Sequence, residues 1–547
     1  MRRRDFVRTS AAAGLALAAP ALAQPGIAQP ALAQPGIVQP AGSRVLRVIP
    51  QANLTSLDPI WTTAVVTRNH AYLVYDQLVA VNANFEPQPQ MAESWTESAD
   101  GLDWLFRLRP GLRFHDNEPV LARDAAASIR RWWARDSLGQ TVAALTDELS
   151  APDDRTVRFR LKRRFALLPF ALGKASPMPM FVMPERVALT DPYKAITDPV
   201  GSGPFRFVRA EWNPGSRAVW EKSPHYVPRD EPVDGIAGGR RAVVDRVEWT
   251  VIPDSATAAA AMASGEQDYW EYPLHDLIPL LRGNAGVVVG QRLAQGTYCG
   301  IRVNHLHPPF NNPAVRRALL MAVDQRDYLR AVVGDGEPGK PQPWAACESV
   351  YTCDAAFETA AGNDLLRLHS VEKAAAALKA SGYGGERAVL LAPSDYPQIN
   401  ALSLVTADLM RRVGFNVDLA AMDWGTVTQR RSGKEPVEKG GWSVFHSTWS
   451  GADIQNPAIS QQTRTNKDGA WFGWPEDAEM EAMRARWLEA ADLPTQKQIA
   501  DAIQVRAFET VPFIPLGYYW QPSAWRKTVT GTFPCQVTSF WNIGKSA

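Results

Sequence analysis

The sequence predicts an α/β fold spread over two or three domains, and three observations carry that expectation. At 547 residues the chain is longer than one hydrophobic core usually supports. Residues 104–109 place Trp104, Phe106 and Leu108 on one side and Leu105, Arg107 and Arg109 on the other, the period-2 pattern of a strand with one buried face. Residues 122–135 instead set Ile129, Trp132 and Trp133 at i, i+3 and i+4, one face of a helix. Asp100-Gly101 forms the turn before the strand, because Gly accepts positive φ without a Cβ clash. Pro110-Gly111 ends that strand, and Asn117-Glu118-Pro119 turns the chain toward the helix.

Composition narrows the class. Hydrophobic residues make up 46% and charged residues 21%, as in an ordinary soluble globular protein. With 58 basic against 57 acidic side chains and a net charge of +1, there is no global field to hold nucleic acid or an anionic membrane. The 19 Trp either fill cores or supply flat, rigid contact area in a binding cleft.

The first 43 residues read as an export signal and a linker. Arg2-Arg3-Arg4-Asp5-Phe6-Val7 precedes an apolar run over residues 11–19 and the small-x-small site Ala21-Leu22-Ala23. The Arg pair before Asp-Phe-Val is similar to a twin-arginine export signal; an Arg-rich Sec signal is the alternative. The apolar run is too short for a permanent span. The first Cys is Cys299, so no lipid anchor is expected and the predicted location is the periplasm. Residues 21–40 hold a near-perfect repeat rich in Pro, Gly and Gln, which argues for an extended linker and duplicates the cleavage site at Ala31-Leu32-Ala33.

The folded part is expected from Arg44. Residues 45–50 read as a first strand, 53–59 as a loop and 61–81 as mostly helical. Residues 157–161 alternate as a strand. Residues 178–184, rich in Pro and Met, connect with apolar contacts. Residues 247–252 form a strand that enters a helix at 256–265 through Asp254-Ser255. Asn312 caps and Pro313 opens a helix that runs to Ala322. Residues 400–413 are an amphipathic helix stopped by Gly414, followed by a strand at 415–419.

Several motifs invite chemistry. Gly334-Asp-Gly-Glu-Pro-Gly-Lys340 has phosphate-loop spacing, but Pro341 replaces the Ser or Thr that would bind Mg²⁺ and no strand feeds it. His305-Leu-His307 offers two metal ligands, yet reads more simply as a solvated loop before Pro308-Pro309. No His-Glu-x-x-His or Gly-x-Ser-x-Gly occurs. Cys347 and Cys353 share one loop of an exported chain and are predicted to bridge, whereas no pairing can be read for Cys299 and Cys535. No metal or cofactor site is expected.

The order of the segments is more specific than any single motif. Residues 75–79 (Tyr-Asp-Gln-Leu-Val), 91–95, Asp100-Gly101, 106–109, Gly111 and 113–116 follow one another as in the extracytoplasmic solute-binding proteins of peptide-type ABC importers, the dipeptide, oligopeptide and nickel class of family 5. Later stretches extend the resemblance: Gly201 to Phe207, Asn213-Pro214-Gly215, residues 223–227, 252–268, 298–304, 309–324, 440–457 and 511–516. It covers nearly the whole chain after the linker. Asn117 departs from a family Gly, but Asn also visits the left-handed region.

The resemblance implies a two-lobed periplasmic binding protein fold of type II, large peptide-binding subclass, with two interlobe crossovers. Lobe I would be residues 44–297, with 520–547 returning to it, and lobe II 298–519. The lobes are expected to hinge near Gly300 and near Leu516-Gly517, where each crossover strand has a Gly beside it. The implied function is capture of a peptide or amine-bearing small solute between the lobes and its delivery to an inner-membrane ABC permease, by a monomer that is not an enzyme. A receptor of the same fold for a metal chelate or sugar-like solute is one alternative, an exported hydrolase another. The implied solute-binding residues are Asp453, Trp449, Trp424, Tyr298 and Trp61. Asp453 would face a ligand amine, as against a plain turn role, and Trp424 would line the pocket, as against core. The Arg that holds the ligand carboxylate in dipeptide binders has no match in residues 393–398, which puts a strict dipeptide receptor in doubt.

Overall fold

Two large sheets organise the protein. The first orders its strands Val287–Gly290, Ser523–Arg526, Tyr269–Trp270, Val45–Ile49, Arg246–Thr250, Arg217–Lys222 and Phe205–Phe207. The second runs Trp344–Ala345, Phe513–Tyr519, Thr297–Val303, Val444–Ser450, Arg387–Pro393 and Asn416–Met422. The chain therefore passes between sheets twice, after Gly290 and after Tyr519, as two crossovers require. This computed structural model describes residues 44–291, 295–337, 339–490 and 492–546. The export segment, the repeat and both cleavage sites lie outside the described residues. Residues of both lobes belong to one packed unit, Arg44–Ala547. Among the described residues no helix is long and apolar enough to cross a membrane.

The local signals became the expected elements. Strand Asp103–Leu108 buries Trp104, Phe106 and Leu108 and exposes Leu105, inside a four-stranded antiparallel sheet. Gly101 takes φ +72° in the turn before it. Helix Ala122–Trp133 lays Ile129 and Trp132 into the same core. Asn312 Oδ1 accepts from Ala314 N at 2.9 Å at the start of helix Pro313–Ala322. Asp254 Oδ1 likewise accepts from Thr257 N at 2.7 Å, and Gly414, φ +110°, stops helix Pro397–Val413.

One expectation needs correction. The helix expected over 61–81 is confined to Val65–Val74, and Val79–Val81 is instead a strand paired with Pro87–Pro89. The cause is long-range: Asp76 and Gln77 are buried against Arg240, whose Nη1 and Nη2 reach Asp76 Oδ1 and Gln77 Oε1, each at 2.9 Å. That ion pair outweighs helix continuation, because a buried charge left unpaired is costly. Gly300 and Gly517, near which the lobes are expected to hinge, lie in the two adjacent strands of the second sheet that border the crossovers. A Cβ on Gly300 would meet the Trp449 ring at 3.0 Å, and one on Gly517, which takes φ +80°, the Leu329 Cδ1 at 2.7 Å. As the sequence reading has it, the Gly334 loop follows a helix, Gln325–Val333, and not a strand, and its Glu337 pairs with Arg282.

Candidate functional site

The second sheet's buried strand Val444–Ser450 lies antiparallel to Thr297–Val303, with Trp449 opposite Tyr298. At its end the chain makes the single turn Gly451–Asp453. Asp453 Oδ2 accepts from Ser450 N at 3.0 Å, and Ser450 Oγ from Ala452 N at 3.3 Å. This reciprocal pairing fixes the turn. The loop closed by the Cys347–Cys353 disulfide braces it: Thr352 Oγ1 donates to the Gly451 carbonyl at 2.5 Å, and Cys353 N donates to Tyr298 Oη at 2.8 Å.

Asp453 is buried, and its Oδ1 accepts no hydrogen bond of regular geometry. Its surroundings come from the first lobe. The Arg68 guanidinium, the Ser176 hydroxyl and the Lys174 ammonium lie near it. Arg68 Nη1 donates to Ser176 Oγ at 2.7 Å, while Lys174 Nζ stands 2.9 Å from Asp136 Oδ2. Burial pushes the Asp453 carboxyl up; Arg68 opposes this most, followed by Ser176, the Ser450 amide and Lys174. Glu271, on the same side as Arg68, is also pushed up by burial, and takes Asn69 Nδ2 at 2.6 Å and Gln51 N at 2.9 Å.

Aromatic side chains form the walls. Tyr298 stacks on Tyr518 with centroids 4.8 Å apart. Trp449 meets Trp471 at 5.3 Å, and Trp424 meets Tyr396 at the same distance. Trp61 stands across the interlobe crevice, where it lines a cavity of about 290 Å³ together with Arg135, Tyr193, Lys434, Trp471 and Phe472. An adjoining cavity of about 370 Å³ lies between Trp61, Thr62, Trp212 and Phe472. Tyr298 and Trp449 are thus neighbours on paired strands, with Asp453 in the turn that follows. Trp424 belongs to a second cluster with Phe445, Trp471, Phe472 and Arg431, and Trp61 faces that cluster from the other lobe.

Sequence reasoning missed Arg68, Glu271, Arg431, Trp471 and Phe472. The run Trp471-Phe472-Gly473-Trp474 was a signal available for two of them. Arg430-Arg431 reads as an ordinary basic helix end, and nothing local marks Arg431 as buried. The metal and catalytic candidates separate in the fold. His307 Nε2 bonds to the Lys434 carbonyl at 2.7 Å, and among the described residues no group of three His, Cys, Asp or Glu stands together. The abundant Trp serve both purposes: Trp132, Trp220, Trp249, Trp442 and Trp541 fill cores, whereas Trp61, Trp449 and Trp471 border the crevice.

The chain is similar to known proteins in sequence and fold. A probable peptide ABC transporter periplasmic-binding protein, y4tO of Sinorhizobium fredii, is 36% identical over 547 residues, covering 100% of this chain and 99% of its own. The glutathione-binding protein GsiB of Pectobacterium atrosepticum is 26% identical over 506 residues, 89% of this chain and 91% of its own. In structure, the binding protein AgaA of A. tumefaciens R10, solved with agropinic acid, superposes with a TM-score of 0.75 at 22% identity, covering 92% of this chain and 99% of that one. The family pattern described as bacterial extracellular solute-binding proteins, family 5 Middle, matches residues 86–471. With most of its folded length matched and a relative aligned from end to end, the chain belongs to the family 5 bacterial extracellular solute-binding proteins.

Proposed function

We propose that this protein is the periplasmic receptor of an ABC importer, closing on a peptide or another amine-bearing small solute and presenting it to the inner-membrane permease. Lobe I would comprise residues 44–297 and 520–547, lobe II residues 298–519, and a twin-arginine signal would carry the chain out as a monomer. One observation carries the solute assignment: a buried carboxylate, Asp453, at the end of a central strand, with one oxygen engaged by its own turn and the group facing Ser176 and Arg68 of the first lobe. A buried charge wants a partner, and a solute ammonium is a donor of the right sign and size.

The geometry also argues against chemistry on the solute. The one Ser–His contact in the second lobe among the described residues, Ser403 Oγ to His446 Nδ1 at 3.2 Å, is buried beneath helix Pro397–Val413. The other ring nitrogen contacts Thr406 Oγ1 at 2.8 Å, so no acid orients the imidazole. Burial holds His446 down to about 3. Such a pair cannot act as a nucleophile and base toward a solute in the crevice.

The test is native mass spectrometry of the purified protein after incubation with the low-molecular-weight fraction of yeast extract. Retention of unaltered amine-bearing masses, one per protein, is expected. Turnover of the retained compounds, or no retained mass, would refute the receptor reading.

A further inference from the structure

A further cavity, of about 520 Å³, lies where the chain crosses between the two large sheets. It shares no lining residue with the two crevice cavities. One side belongs to the first lobe: Asp276, Pro279 and Arg282 on the helical stretch from His275 to Gly283, and Val289 on the strand that leads into the first crossover. The other side is the second lobe's loop from Gly334 to Lys340, with Pro343. Trp520, the first residue after strand Phe513–Tyr519, ties the two sides together. Its N–H donates to the Pro343 carbonyl at 2.9 Å, and its own carbonyl accepts from His275 Nε2 at 3.0 Å. The lobes come close here, since a Cβ on Gly334 would lie 3.8 Å from Asp276 Oδ1.

The charges around this cavity divide into spent and free. Arg282 pairs with Glu337 across the lobes, and Arg330 with Asp335 at 2.9 Å. Asp276 of the first lobe and Lys340 of the second are exposed, and among the described residues neither forms an ion pair. The cavity therefore offers one carboxylate from one lobe and one ammonium from the other, beside apolar walls that include Trp520, Pro279, Pro343 and Pro522. Opposite charges that do not meet each other are both matched by a single zwitterion. A flat ring suits a wall of Trp and Pro, because aromatic pairs gain from stacking beyond the area they bury. The volume lies within the range of small-molecule sites. Asp335 and Glu337 on the same loop disfavour a phosphate, whose charge they would repel.

We propose that this cavity is a second binding site, taking a free aromatic amino acid with its ammonium at Asp276, its carboxylate at Lys340 and its ring against Trp520. An occupant that touches both lobes and a crossover has different affinity for the open and closed arrangements, so it acts on the crevice through the hinge. The lobes are in contact across the crevice: Trp471 Nε1 donates to Thr63 Oγ1 at 3.2 Å, and Gln140 Nε2 to the Gly469 carbonyl at 3.4 Å. An amino acid that fits the cavity in this arrangement favours closure, and it raises affinity for a solute in the crevice by the factor by which the solute raises its own.

The test uses L-phenylalanine on the full mature protein, read by calorimetric titration and solution scattering. Wild type should bind it and contract. Asp276→Asn and Lys340→Met, both at exposed positions, should melt like wild type and bind it about fivefold more weakly. On wild type, N-acetyl-L-phenylalanine and L-phenylalaninamide, each lacking one charge, should lose about the same factor, and glycine, lacking the ring, should give no heat. Asp453→Asn, altered only in the crevice, should bind phenylalanine as wild type does. No heat with phenylalanine would overturn the proposal, as would binding that D453N abolishes and the two cavity variants leave unchanged. Binding without contraction would overturn the coupling to closure. None of these measurements uses yeast extract, so the receptor reading and this site fail separately.

Discussion

Replacing Asp453 by Asn separates the charge of this side chain from its shape. Asn keeps an oxygen to accept the Ser450 amide, so the turn Gly451–Asp453 retains its 3.0 Å bond. What disappears is the negative charge facing Arg68, Ser176 and Lys174 across the crevice. For binding, a solute ammonium would then be enclosed against a neutral amide. Removing one partner of a buried charge pair costs about 2–5 kcal/mol, or about 30- to 5,000-fold in affinity. For folding, the sign is opposite. Burial raises the Asp453 carboxyl above its ordinary value, so the folded state binds the proton more tightly than the unfolded state. Its contribution to stability is therefore present at low pH and lost as pH rises through the raised pKa. At neutral pH the ionised carboxylate is a net cost, and Asp453→Asn should melt no lower than wild type in the absence of solute. The same proton makes wild-type affinity for an amine fall as pH is lowered through that raised pKa, whereas residual binding to D453N stays flat. The assay is calorimetric titration with the solute identified by mass spectrometry, beside melting curves across pH. Unchanged affinity in a folded D453N protein would reduce Asp453 to a turn residue and remove the amine from the account.

Other expectations follow from the same geometry. Cys347→Ser with Cys353→Ser should cost about 2 kcal/mol by the entropy of so short a loop, read as a lower denaturant midpoint. It should also weaken solute binding, since Thr352 and Cys353 brace Gly451 and Tyr298; equal affinity for the reduced and oxidised forms would contradict that bracing. Gly300→Ala should cost about 1–3 kcal/mol in a melting curve, because the added Cβ meets the Trp449 ring at 3.0 Å. A neutral result would mean that the ring moves freely. Solution scattering should show a smaller radius of gyration with solute than without, and no change in a sample with confirmed binding would rule out lobe closure.

What was legible in the sequence was whatever is decided by neighbours in the chain. The alternation of residues 103–108, the Asn312 and Asp254 caps and the Gly414 stop all rest on contacts a few residues apart, and each produced its element. What was illegible depends on partners brought from far away. Helix Val65–Val74 ends where it does because Asp76 meets Arg240, 164 residues on. Arg68 reaches Ser176 from 108 residues away. The Arg431 cage draws Trp424 and Phe445 from one stretch and Trp471 and Phe472 from another. Family resemblance did bring Asp453, Trp449 and Tyr298 to attention, and the sheet sets the last two on adjacent strands, with Asp453 in the turn beyond. It carried no signal for Arg431, which lies outside the stretches that carry the resemblance.

The contrast between satisfied and unsatisfied buried charges is itself an argument about mechanism. Asp58 accepts two hydrogens from Arg131, at 3.0 and 2.7 Å, and two backbone amides, those of Ile60 and Ile196. That pair lies within one lobe and has no reason to change partners. Asp453 is held differently: its own turn supplies the Ser450 amide at 3.0 Å, while Arg68, Ser176 and Lys174 face it from the other lobe. A solute ammonium that reached Asp453 in the closed state alone would offset the desolvation of that carboxylate, which is the differential affinity a ligand needs in order to shift a conformational equilibrium.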